Sequence, residues 1–234
     1  MYGTKKILAI IPARGGSKGI KKKNIIEING LPLIAYTLKE SQNSRYLDRT
    51  IVSTEDLEIK EVVEKYGGEV PFLRPIELAQ DHSKTIDCIV YSIDMLKKLG
   101  EEYDYVMILQ CTTPLRKACH IDESIEKIIN STERSLVSVS EVEEHPILMR
   151  TLNTDGSLSN LLNKNSTMRR QDFPKVYKVD GVIYIQKIDK NFNENTSLND
   201  GKLAYIMDRK YTIDIDEYLD IAKVEFYLHE LRKK

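Results

Sequence analysis

The stretch that decides how this chain folds reads Ile7-Leu8-Ala9-Ile10-Ile11-Pro12-Ala13-Arg14-Gly15-Gly16-Ser17-Lys18-Gly19-Ile20-Lys21-Lys22-Lys23-Asn24. From Lys6 to Ala13 it runs apolar without alternation, as a central parallel strand does when both of its faces are buried. The loop that follows holds five cations between positions 14 and 23 and no acid. Gly15, Gly16 and Gly19 allow the backbone to approach an anion with N–H groups turned inward. Arg14 can grip two phosphate oxygens at once, whereas Lys18 offers a point charge. Lys21 and Lys22 read more simply as solvated side chains. A Walker loop is excluded because Gly19-Ile20 follows Lys18, and the Gly-x-Gly-x-x-Gly of a dinucleotide fingerprint is absent. What remains is a cradle for a polyanion at the carboxyl edge of a sheet.

Outward from this loop, strand and helix signals alternate. Thr50 to Thr54, Tyr105 to Leu109, Ser135 to Val142, Val182 to Ile185 and Leu203 to Met207 read as strands, with a short one from Glu69 to Leu73. Helical spacing runs from Leu31 to Gln42, Asp56 to Tyr66, Thr85 to Leu99, Ile121 to Ile129 and Glu217 to Leu231. The alternation predicts an α/β fold, an open and mostly parallel sheet flanked by helices on both faces. Ligands of such sheets sit at the carboxyl ends of the strands. Arg14, Thr54, Gln110 and the loop after Arg74 all fall there, so four separate stretches converge on one rim.

The rhythm breaks between residues 143 and 178. Asn153-Thr154-Asp155-Gly156-Ser157 is a turn signal between Leu152 and Leu158. We expect one domain over 1–234 with this segment as an excursion, either a surface loop or a hairpin arm used for self-association.

Near the end stands Ile213-Asp214-Ile215-Asp216. In a strand, residues i and i+2 face the same way, so both carboxylates would share one side while the isoleucines face the core. Two carboxylates suit Mg²⁺, which keeps several waters and takes phosphate oxygens as further ligands. Together with the cationic loop, the pair points to chemistry on a nucleoside triphosphate. Helix capping is the competing reading, since Asp216 directly precedes the last helix.

Composition narrows the field. With 35 bases against 36 acids the net charge is −1, which argues against a general nucleic-acid binder. A chain of 234 residues buries roughly 70–75% of its unfolded surface and needs no zinc or disulfide to fold. Its cysteines, Cys88, Cys111 and Cys119, are odd in number and form no Cys-x-x-Cys. No apolar run is long enough to span a membrane, and a soluble cytoplasmic protein is expected.

The run Ile11 to Gly19, followed by Lys23-Asn24, resembles the signature of the acylneuraminate cytidylyltransferases, which activate sialic acid and related nine-carbon sugar acids. Further matches are Val52-Ser53-Thr54, Leu73-Arg74-Pro75, Glu77-Leu78-Ala79-x-Asp81, Leu109-Gln110-x-Thr112-x-Pro114-Leu115-Arg116, Arg170-Gln171, Gly181-x-Ile183-Tyr184 and Ile213-Asp214-Ile215-Asp216. The resemblance implies a Rossmann-like nucleotidyltransferase domain whose arm completes a homodimer. It implies that CTP and a 2-keto sugar acid give a CMP-sugar and pyrophosphate. By similarity, Ala13, Arg14, Gly15, Ser17, Lys18, Lys23, Asn24, Arg74, Ser83 and Thr85 bind CTP. Arg14, Lys18, Lys23 and Asp214 act in catalysis, and Gln110, Arg170, Gln171 and Tyr184 face the sugar acid. Asp214 and Asp216 hold Mg²⁺, or Mn²⁺ in its place.

Two departures stand out. Relatives often read Arg-Pro-Asn-Gly where this chain has Lys178-Val179-Asp180-Gly181, and many have Pro at Cys111. The run Arg169-Arg170-Gln171-Asp172-x-Pro174 resembles the branch that activates legionaminic acid. A 3-deoxy-manno-octulosonate cytidylyltransferase is the close rival, against which Ser17-Lys18-Gly19-Ile20 and Arg170-Gln171 weigh. In a metal-dependent glycosyltransferase the Asp-x-Asp normally lies mid-chain, and the cationic loop would go unexplained. A nucleotide-sensing module would bind CTP without turnover. Cys111 reads as a buried thiol, and none of His82, His120, His145 and His229 stands where a general base is evident.

Overall fold

In the computed structural model, which describes residues 2–17, 19–162 and 169–233, the N-terminal apolar run is β1 (Ile7–Pro12). After the cationic loop a small hairpin, β2 (Glu27–Ile28) with β3 (Leu31–Pro32), turns through Asn29 and Gly30 at positive φ into α1 (Leu33–Gln42). The helix expected from Leu31 starts later because Leu31 and Pro32 pair with Ile28 and Glu27. There follow β4 (Arg49–Ser53), α2 (Leu57–Lys65), α3 (Thr85–Lys98), β5 (Tyr105–Ile108), α4 (Ala118–Ile129) and β6 (Ser135–Glu141). The chain ends with the hairpin β7 (Arg150–Leu152) and β8 (Leu158–Asn160), then β9 (Tyr177–Lys187), β10 (Leu203–Ile206) and α5 (Tyr218–Arg232).

Six strands form the main sheet in the order β10-β6-β9-β5-β1-β4. All run parallel except β9, which is antiparallel to both β5 and β6. The reversal follows from connectivity. β6 leaves the sheet at its carboxyl end, the chain makes the β7–β8 excursion, and it re-enters at the same end with no crossover helix among the described residues. β9 is also longer than the Val182 to Ile185 expected, and its register on β6 shifts between Val137 and Val139.

β1 explains its own composition. Ile7, Ala9 and Ile11 pack on one face with Ile34 and Leu38 of α1, Ile59 and Val63 of α2, and Ile121 and Ile125 of α4. Leu8 and Ile10 pack on the other with Cys88, Ile89 and Leu96 of α3. A third cluster positions the site. Ile20, at the end of the cationic loop, is buried with Ile215 of the acidic segment and with Val224 and Leu228 of α5. Burying an isoleucine is worth about 1.5–3 kcal/mol, so this cluster draws two segments remote in sequence onto one rim.

Two expectations are corrected. Glu69 to Leu73 is not a strand; one backbone bond, from the Val52 N–H to the Glu69 carbonyl (2.8 Å), and the Arg49–Glu69 ion pair tie its start to β4. The Asp214 and Asp216 pair is not in a strand either. Its backbone makes one backbone–backbone bond to the rim, from the Ile215 N–H to the Thr112 carbonyl (2.8 Å), without a ladder. Among the described residues no helix is long and apolar enough to cross a membrane.

Candidate active site

The carboxyl ends of β1, β4 and β5 open into a cleft of about 420 Å³. Arg14, Ser17, Lys23, Asn24, Arg74, Ser83, Thr85, Gln110 and Asp216 all line it. The cationic loop and the acidic segment meet there directly. Lys23 Nζ donates to the Ile215 carbonyl at 2.7 Å and to Asp216 Oδ1 at 3.1 Å. A Cβ on Gly19 would sit 2.6 Å from the Asp216 carbonyl oxygen, closer than real Cβ atoms approach, so this contact requires glycine. Asn24, itself buried, donates from Nδ2 to the Arg14 carbonyl (2.9 Å) and closes the loop on itself.

Other expected residues lie behind the cleft or beside it. Ala13 is buried, and its N–H donates to the Ser53 carbonyl at 3.0 Å. Gly15 turns its N–H away, to Glu55 Oε1 at 2.7 Å. A Cβ at Gly15 would meet Asp56 Oδ2 at 2.2 Å, so a larger residue would have to displace the Asp56 carboxylate that caps α2. Tyr184 is buried with its hydroxyl 3.2 Å from Asn199 Oδ1. Gln171 stands exposed on a short 3₁₀ turn of the arm, and it does not line the cleft. Lys18 lies outside the described residues, as does the side chain of Arg170.

Capping does not claim the aspartate pair. Asp220 Oδ2 accepts from the N–H groups of both Asp216 and Glu217 at 3.1 Å and so caps α5. Asp214 is reached by water yet crowded by protein. Its pKa is raised, first by desolvation and further by the Asp216 carboxylate, while a hydrogen bond with Thr112 and the charge of Lys23 oppose the rise. Two carboxylates that are extended, adjacent and unused by the helix are a donor set that suits Mg²⁺ completed by phosphate oxygens. Among the described residues no group of three or more carboxylates, histidines or cysteines forms a dedicated cage.

Glu55 is the residue that sequence reasoning missed. It sits on the carboxyl end of β4, and its Oε2 accepts from Arg74 Nε (3.0 Å) and Nη2 (2.8 Å) while Oε1 holds Gly15. Both members of this ion pair are largely buried. The available signal was an acid directly after Thr54, on the rim where the cations gather. Cys111 is fully buried, and desolvation pushes its thiol up to about 12, which removes it as a nucleophile.

A family model described as Cytidylyltransferase matches residues 8–231. The chain belongs to that family. It is 33% identical over 222 residues to a pseudaminic acid cytidylyltransferase of Campylobacter jejuni, covering 94% of this chain and 95% of that one. It is 34% identical over 223 residues to the CMP-N,N'-diacetyllegionaminic acid synthase of Legionella pneumophila, covering 94% and 95%. An N-acylneuraminate cytidylyltransferase of Streptococcus agalactiae is 31% identical over 234 residues, 98% of this chain and 55% of that one. Among solved structures, a CMP:2-keto-3-deoxy-manno-octonic acid synthetase complexed with CTP superposes with a TM-score of 0.72 at 17% identity, covering 97% and 99%; at that identity the likeness is one of fold.

Proposed function

We propose that this chain transfers a cytidylyl group from CTP to a nine-carbon 2-keto sugar acid of the sialic acid class, N-acetylneuraminate or legionaminate, and releases pyrophosphate. One observation carries the reading: Lys23 and Gly19 of a cationic loop touch the Asp214–Asp216 segment across the mouth of a single cleft. The family and the names of its relatives give the substrate classes.

The sugar's anomeric hydroxyl attacks the α-phosphorus in line. An O–P bond forms, the α–β anhydride bond breaks, and the electron pair leaves with pyrophosphate. Such transfers depend on positioning and charge stabilisation more than on covalent chemistry. Arg14 and Lys18 would hold the β- and γ-phosphates and offset the charge that builds on them. Asp214 and Asp216 would hold Mg²⁺ or Mn²⁺, which would supply positive charge against the triphosphate and lower the pKa of the attacking hydroxyl. Asn24, Arg74, Ser83 and Thr85 would enclose the nucleoside, and Gln110, Arg170, Gln171 and Tyr184 would contact the sugar acid. Gln171 stands on the arm, away from the cleft in this chain, which fits an arm that serves a second copy in a homodimer. CTP as a substrate fits a cytoplasmic enzyme.

The test is to incubate the protein with CTP and Mg²⁺ and a panel of N-acetylneuraminic, legionaminic, pseudaminic and 3-deoxy-manno-octulosonic acids, measuring pyrophosphate. Release with a nine-carbon acid is expected. Release only with the eight-carbon acid, or with none, overturns the reading.

A further inference from the structure

Arg116 is among the most completely buried large side chains of the protein, at 1% exposure. Its neighbours are neutral oxygens. Nη1 donates to the Val182 carbonyl (2.8 Å) and to Thr113 Oγ1 (3.1 Å), and Nη2 donates to Thr37 Oγ1 (2.9 Å). Both terminal nitrogens also reach the Gln110 carbonyl, at 3.4 and 3.2 Å. The hydroxyls of Thr113 and Thr37 donate to that same carbonyl at 3.2 and 3.4 Å. Burial lowers the guanidinium to about 10, so it stays charged at neutral pH.

Those contacts join two particular places. Gln110 lies in the loop just past the end of β5, and Val182 lies in the irregular part of β9 where the register on β6 shifts. The irregularity has its own brace. Asp180 Oδ1 accepts from the Ser138 hydroxyl and from the Val182 N–H (3.1 Å), and Ser138 Oγ accepts from the Ile183 N–H (2.8 Å). Between the braced residues Gly181 sits at φ +77, and a Cβ there would lie 3.3 Å from Gln110 Oε1 and 3.7 Å from the Tyr184 hydroxyl. The two walls that carry Gln110 and Tyr184 therefore meet over Gly181, with the Arg116 fork beneath them. Among the described residues, Arg116 Nε and Asp180 Oδ2 of this buried layer have no hydrogen-bond partner.

We infer that Arg116 is a positioning residue for the sugar-acid half of the site: its buried fork ties the Gln110 backbone to the Val182 backbone and sets the spacing of the walls bearing Gln110 and Tyr184. This rests on the function proposed above. A lysine keeps the charge but brings one nitrogen instead of a planar fork, so it cannot hold both carbonyls and the Thr37 hydroxyl at once. Displacement of a binding group by about 1 Å is enough to cost up to ~10²-fold in rate.

The experiment uses the full chain with Arg116→Lys and, as a milder isosteric change, Thr37→Val. KM is measured separately for CTP and for the best acid of the panel. For Arg116→Lys the sugar-acid KM should rise by at least ~10-fold while the CTP KM stays within about 2-fold. For Thr37→Val, which serves if the lysine variant does not fold, a rise of about 3-fold in the same single constant is expected. Equal changes in both constants, or none, overturn the inference. If the unmutated protein turns over no acid, the proposed function fails instead, and amide hydrogen exchange then decides the positioning claim. Residues 110–113 and 180–184 should exchange faster together in Arg116→Lys, with residues 13–17 unchanged; unaltered protection at both walls sinks it.

Discussion

The cleft and the arm follow opposite rules of partnership. In the cleft, cations already face carboxylates from other stretches: Arg14 with Asp81 at 3.1 Å, Lys23 with Asp216 at 3.1 Å, and Arg74 with Glu55 at 2.8 Å. On the arm, Leu152, Leu158 and Leu161 are 75%, 65% and 51% exposed, apolar groups turned to solvent. The cleft's own pairs also differ among themselves. Arg14–Asp81 is open to solvent, so it is worth at most about 1 kcal/mol and is readily exchanged for a phosphate. Arg74–Glu55 is buried and acts as a fixed brace under the loop. The difference separates cleft cations exchangeable for an anion, a buried pair that braces the loop, and apolar groups left facing solvent.

The largest effect should come from the exchangeable pair. Arg14→Ala is expected to lower kcat/KM by at least ~10³-fold, the scale on which arginines act in phosphoryl transfer. Pyrophosphate release near the unmutated rate would show that the loop is no triphosphate cradle. Next is the acidic pair. Asp214→Asn should lower kcat by at least ~10²-fold, comparable to losing one strong electrostatic contact, with an unchanged thermal midpoint. EDTA should silence the unmutated enzyme, and added Mg²⁺ should restore it. A variant with normal turnover, or an enzyme indifferent to EDTA, would remove the metal role.

The fixed brace should behave differently from either. Glu55→Gln leaves the Arg74 guanidinium buried beside a neutral amide, and breaking a buried pair from one side costs about 3 kcal/mol. The urea midpoint should fall with an unchanged slope. Because Gly15 loses its anchoring carboxylate, the CTP KM should rise by roughly 10-fold, the scale of a lost charge-assisted hydrogen bond, while the sugar-acid KM holds. A stability loss with no change in the CTP KM would make Glu55 a brace for the fold and not for the loop.

Much of this arrangement could be read from the chain. The unbroken apolar run marked β1 because both its faces are covered, and Arg14 and Lys23 after it line a cleft because loops at carboxyl ends of parallel strands share a rim. What could not be read was set by long-range pairing. The direction of β9 depends on where the arm returns the chain. The Asp214–Asp216 segment alternates as a strand would, yet it finds Thr112 as its one backbone partner. Glu69 to Leu73 has the composition of a strand, but a single backbone bond to Val52 and the Arg49–Glu69 ion pair join it to β4 without a ladder. Glu55 has no motif around it, and its role comes from Arg74, nineteen positions on, closing over it. Gln171 shares a motif with Arg170, yet the arm holds it away from the cleft.

The arm offers the smallest effect on the folded chain and the clearest reading of the contrast. Leu152 and Leu158 stand directly opposite each other across β7 and β8, a cross-strand apolar pair turned toward solvent. Within one chain, changing them removes almost no buried area, so Leu152→Asp with Leu158→Asp should shift unfolding stability by no more than about 0.5 kcal/mol per site. Between two chains the same pair would be worth about 1.5–3 kcal/mol per buried leucine. Analytical ultracentrifugation should therefore find the unmutated protein as a dimer and the double variant shifted toward monomer, while denaturation of the variant monomer stays normal. A protein that is already monomeric before substitution would show that these leucines are simply exposed, and the arm would lose its claim to a partner.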